Sequence, residues 1–130
     1  MTNIDLFTRI ARLAEKEPRY RREAYLFILA ALEYTVSQLP AVRHLTGQEL
    51  SRGIAEYARL QYGYMARTVL EHWGLKTTLD YGEIVYLLIR EGLMSRTEGD
   101  KKEDFEGVYD FTAEFAWEQV KPTSFPERFE

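Results

Sequence analysis

Cysteine is absent from the sequence, which excludes a disulfide framework, thiol catalysis and thiolate ligation of zinc. Histidine is scarce: His44 and His72 form no i,i+4 pair, so they supply no nucleus for a zinc site, which needs three protein ligands. Long apolar runs are missing too. The longest, from Ala24 to Leu32, holds nine residues, against the roughly twenty that a membrane-crossing helix requires. It reads as buried helix, and no membrane contact is expected. The start, Met1 to Asp5, has no basic segment followed by an apolar run, so no secretory signal is expected and the location expected is cytoplasmic.

Other patterns that carry chemistry are lacking as well. Ser37, Ser51, Ser95 and Ser124 sit in no nucleophile elbow. No glycine-rich phosphate loop ends in lysine and a hydroxyl residue. The acidic stretch from Asp100 fails as a calcium loop, because Lys102 occupies the third position and Phe105 the place of the required glycine. No catalytic residue, metal ligand or cofactor is therefore expected, and a non-enzymatic role is favoured over a metal-independent enzyme built from Asp, Glu and Tyr.

A general excess of positive charge is also absent. The net charge is −4, and it is uneven: residues 1–90 hold 12 Lys and Arg against 10 Asp and Glu, whereas residues 91–130 hold 5 against 11. Proteins that grip a nucleic-acid backbone do so by neutralising phosphates, so this balance disfavours nucleic-acid binding. One local patch runs the other way. Arg9, Arg12, Lys16, Arg19, Arg21 and Arg22 gather near the first interhelical turn and could meet an anion, a nucleic acid or an acidic partner.

What is present is helical periodicity, with enough apolar residues (45%) to build one core. Ile4, Phe7, Ile10, Ala11 and Ala14 predict a first helix that ends before Pro18. A second, over residues 20–38, is apolar all round in its middle and should be the element the others pack against. Thr46 and Glu49 form a capping-box signature for a third helix over residues 46–62. Glu49, Arg52, Glu56 and Arg59 along it predict solvent-side pairing. A short helix should end at Gly74, and Asp80 with Glu83 reads as a second cap, opening a helix that Gly92 stops. Residues 93–97 and 105–111 read as two strands joined by a charged loop over 98–104, followed by a short helix over 113–120.

Three helices followed by a strand, a charged loop and a second strand is the order of a winged helix. The expected fold is thus mainly α with a β-hairpin: a winged-helix-like core over 46–111, an N-terminal helical extension over 1–39, and a C-terminal short helix and tail over 112–130, in one domain.

The segments from His44 to Leu50, Trp73 to Thr78, Gly82 to Val85, Gly92 to Ser95, Glu103 to Phe105 and Asp110–Phe111 together resemble a family of small conserved proteins of unknown function found in planctomycetes, verrucomicrobia and other bacteria. The likeness covers about residues 20–118. It implies no activity that maps to residues here.

The remaining positive signal is aromatic. Among nine tyrosines, Tyr57, Tyr62, Tyr64, Tyr81 and Tyr86 crowd the middle of the chain, and aromatic side chains are preferred interface anchors. The function expected is a protein-protein interaction or regulatory module, acting on an unknown partner or on a second copy of the chain. Nucleic-acid binding through the N-terminal basic patch is the alternative. The acidic residues Asp80 and Glu83, at the start of the helix that would enter a DNA groove, weigh against it.

Overall fold

The computed structural model describes residues 3–95 and 101–116, and among them every regular element is helical. Helix α1 (Asn3–Lys16) buries Ile10 and Leu13 and gives out ahead of Pro18. Helix α2 (Arg22–Ser37) lies at the centre and touches α1, α3 (Gly47–Tyr62) and α5 (Thr78–Arg90). Its Ala24, Tyr25, Phe27, Ile28 and Ala31 are buried, as expected of a helix with apolar residues on all sides.

Helices α2 and α3 approach closely at Gly53. A β-carbon built there would stand 1.9 Å from Thr35 Oγ1. Helix α3 starts at the predicted box: Glu49 N donates to Thr46 Oγ1 at 3.0 Å, and Thr46 N donates to Glu49 Oε1 at 2.9 Å. A 3₁₀ turn (Gly63–Met65) leads into α4 (Ala66–His72), and another (Lys102–Phe105) precedes the single-turn α6 (Phe111–Glu114).

Helices α4 and α5 end alike. Gly74, at φ 100°, and Gly92, at φ 76°, take the left-handed conformation. The residue after each glycine donates back five positions, Leu75 N to Leu70 O at 2.9 Å and Leu93 N to Leu88 O at 2.8 Å. This double reversal satisfies carbonyls that a helix end otherwise leaves bare.

That geometry corrects the winged-helix expectation. Leu93 is the residue that closes the end of α5, not the first residue of a strand, and among the described residues there is neither a strand nor a hairpin. The apolar residues of 105–111 that suggested a returning strand have another role. Residues 101–116 form a strap over α3 and α5 whose aromatic residues anchor it: Phe105, Phe111 and Phe115 are buried. At Val108 its backbone is satisfied by side chains, since Val108 N donates to Thr78 Oγ1 at 3.1 Å and Val108 O accepts from Arg52 Nη2 at 3.3 Å. Residues 96–97 of the expected first strand, 98–100 of the loop and 117–130 of the C-terminal helix and tail lie outside the described residues.

Two local expectations also change. Helix α5 begins at Thr78, because Asp80 reaches back: its Oδ2 accepts from Lys76 N at 2.9 Å and Thr77 N at 3.0 Å. Asp80 is thus the third residue of the helix and not its cap. Arg52 and Arg59 pair with Glu114 of the strap, at 3.4 and 2.9 Å, in place of Glu49 and Glu56.

Candidate functional site

Phe27 and Tyr34 lie seven residues apart on α2, hence two turns apart on one face. Tyr57 and Tyr62 of α3 and Trp73 after α4 meet that face. Ring centroids are 5.3 Å apart for Phe27 and Tyr57, 5.5 Å for Phe27 and Trp73, 5.9 Å for Tyr62 and Trp73, and 5.2 Å for Tyr34 and Tyr57. The rings wall a groove of about 290 Å³ with Glu23, Leu26, Ala30 and Gln61 between them.

The same face continues outward. Tyr57, Leu60 and Gln61 recur at spacings of three and four and so share one side of α3, and Tyr64 and Met65 follow in the turn beyond Gly63, whose φ of 54° ends the helix. Leu60 is 64% exposed, Tyr64 71% and Met65 42%. The groove thus has a partly buried aromatic floor and an exposed apolar border, the layout of a surface that a partner would cover.

The hydrogen bond Tyr34 donates to Glu56 at 2.7 Å pushes its pKa up to about 12. Burial pushes that of Tyr62 up as well. Neutral phenols with apolar faces suit adhesion.

No family model matches the chain, and no curated protein or solved structure is significantly similar to it.

Of the five tyrosines singled out in the sequence, the fold brings Tyr57 and Tyr62 together and leaves Tyr64 exposed beside them. Tyr81 is fully buried under the strap, with its hydroxyl 2.6 Å from that of Tyr109 and its pKa raised by burial. Tyr86 is half-buried on α5 and lines a separate cavity. Sequence reasoning missed Phe27, Leu60 and Trp73 as parts of the face. Leu60, an apolar residue three positions from Tyr57, was the one available signal.

The basic residues divide into two groups. Arg9 Nη2 donates to Glu91 O, and Lys16 Nζ lies 3.5 Å from Glu91 Oε2, so both serve the C-terminal end of α5, where positive charge opposes the helix dipole. Arg12, Arg19, Arg21 and Arg22 are exposed. Arg19 lies over the ring of Tyr20, 4.8 Å from its centroid. The fold brings Lys76 and His72 to Arg19 and Arg21 around a depression of about 470 Å³. Glu71, also on that depression, is paired with Arg67 at 3.0 Å. Among the described residues no three His, Asp or Glu side chains converge as a metal site. Nor is any helix there long and apolar enough to cross a membrane.

A third feature is a cavity of about 350 Å³ where α2, α3, α5 and the strap meet. Its walls are apolar, and Arg43, His44, Thr46, Ser95, Lys101 and Asp104 stand at its polar side. Arg43 donates to Glu49 through both guanidinium nitrogens, at 3.0 and 2.8 Å. That contact, helped by the Thr46 amide, holds the Glu49 carboxyl down at about 2.

Proposed function

We propose that the protein is a non-enzymatic interaction module that holds a partner protein on its α2–α3 aromatic face. One observation carries the reading: Phe27, Tyr57, Tyr62 and Trp73 wall an open groove, and Leu60, Tyr64 and Met65, neighbours in sequence of its α3 wall, are exposed. Aromatic anchors of this kind, with few rotatable bonds and large apolar area, provide most of the binding energy at protein interfaces. Glu23 and Glu56 beside the groove favour a partner segment that is apolar with basic flanks. The resemblance to the bacterial family of unknown function belongs to this proposal and adds no activity to it.

A photoreactive residue placed at Gln61, exposed within the groove, tests the reading. Crosslinking in lysate should trap a defined protein, which should be absent when the same group replaces Gln48 at the far end of α3. Equal trapping at both positions would count against the groove. The alternative, nucleic-acid binding, finds support in the cationic depression of Arg19, Arg21 and Lys76. It requires nuclease-sensitive capture.

A further inference from the structure

We infer that the cavity between α2, α3 and α5 is a binding site for a small aliphatic amphiphile with a neutral, hydrogen-bonding head. Its volume of about 350 Å³ falls in the range of small-molecule pockets, roughly 300–1,000 Å³, and far exceeds the space of one water molecule.

The wall chemistry selects the tail. Leu29, Leu32, Ile89, Leu93 and Met94 are half-buried and face the cavity, over a floor that includes the buried Leu50, Val85 and Phe105. Apolar side chains at the meeting point of three helices are ordinarily covered by one another. Here five of them keep surface to offer. The lining is mainly aliphatic and includes a methionine, whose unbranched thioether adapts to flexible chains. A medium-length alkyl chain satisfies such walls better than a flat aromatic ligand, which would seek stacking partners.

The mouth selects the head. Arg43 is committed to Glu49 and to His44 O. Lys101 and Asp104 both line the cavity and make no ion pair among the described residues. They carry opposite charges. A hydroxyl or primary amide can accept from Lys101 and donate to Asp104, whereas a carboxylate gains the first contact and meets repulsion from the second. The site therefore prefers an alcohol or amide to the fatty acid of equal length. It is separate from the aromatic groove, which lies towards the other end of α3, at Tyr57, Gln61 and Tyr62.

The test is a methyl NMR titration of the full chain at pH 7 with hexanol, octanol, decanol and decanoate, each kept below its solubility or micelle limit. Saturable one-to-one binding is expected, with shifts centred on the methyls of Leu29, Leu32, Ile89 and Leu93. Affinity should rise about fourfold for each methylene added until the cavity is full. Decanol should bind more tightly than decanoate, and Asp104→Asn should narrow that gap. Leu32→Trp and Met94→Trp, which fill the cavity from α2 and from the segment after α5, should each weaken decanol binding at least tenfold while the helical circular dichroism is unchanged. Should one of them fail to fold, the other and the shift map still decide. The inference is overturned by any of three results: no saturation with any alcohol, shifts centred instead on the methyls of Leu26 and Ala30 in the aromatic groove, or undiminished binding in a folded filled variant. Contacts from the Leu29 and Leu32 methyls to residues 96–100 in the ligand-free protein would overturn it too, since the chain itself would then occupy the space.

Discussion

Phe105 covers Gly82 so closely that a β-carbon on the glycine would stand 2.9 Å from Phe105 Cδ2. Gly47 receives the same ring from the other side, its β-carbon position lying 3.0 Å from that atom. The two glycines form the socket that holds the strap on α3 and α5. Adding the methyl group in Gly82→Ala must displace the ring, and overpacking of this kind costs about 1–3 kcal/mol, more than the ~1 kcal/mol that alanine gains in helix propensity. The variant should be less stable, and the Val108 amide should exchange its hydrogen faster. An unchanged exchange rate at Val108 would show that the socket does not hold the strap.

Gly53 and Thr35 make a sharper case. Thr35 Oγ1 donates to Ala31 O at 2.7 Å, and a β-carbon on Gly53 would collide with that oxygen and lie 2.7 Å from Cγ2. Gly53→Ala should destabilise the protein by about 2–3 kcal/mol. Adding Thr35→Ala should recover much of the loss, because the two sites share one contact and cannot act additively. Chemical denaturation of the single and double variants measures the coupling. Strictly additive losses would place the strain elsewhere.

The Glu49 carboxyl links acid stability to the start of α3. Its pKa is held at about 2 by Arg43 and the Thr46 amide, against about 4.3 for an unperturbed glutamate. A carboxylate depressed in the folded state stabilises that state above the unfolded value, and the contribution disappears as pH falls from about 4.3 towards 2. Glu49→Gln keeps the shape without the charge. It should melt below the parent at pH 7, by a small margin because solvent screens the partly exposed pair, and the two midpoints should converge near pH 2. A gap that stays constant from pH 7 to pH 2 would assign the loss to cap geometry instead.

The sequence made legible those features whose causes are local. Thr46 and Glu49 cap α3 as their spacing implies, Gly74 and Gly92 end helices, and the apolar middle of α2 is central. The hairpin failed because Phe105, Tyr109 and Phe111 anchor a strap, and a short apolar segment after a charged loop does not reveal whether its backbone finds another strand or the side chains of Thr78 and Arg52. The pairing of Arg52 and Arg59 with Glu114 was equally hidden, being a contact across more than fifty residues. Tyr57 and Tyr62 were visible as aromatic residues. Their groove was not, because Phe27 and Trp73 reach it from other helices and Tyr81, alike in sequence, is turned fully inward.

The binding of the crosslinked partner, measured against the parent and the Leu60→Ser/Tyr64→Ser variant at low and high salt, with duplex DNA alongside, bears most directly on the aromatic face. Both side chains are largely exposed, so their replacement should leave the fold intact. Affinity for the partner should fall at least tenfold in the variant, about 1.4 kcal/mol, and change little with salt in the parent, since apolar burial is only weakly screened. Duplex DNA should bind weakly. Partner affinity that is unaffected by the two substitutions would contradict the proposal. So would submicromolar, steeply salt-dependent duplex binding that weakens in Arg21→Ala/Arg22→Ala.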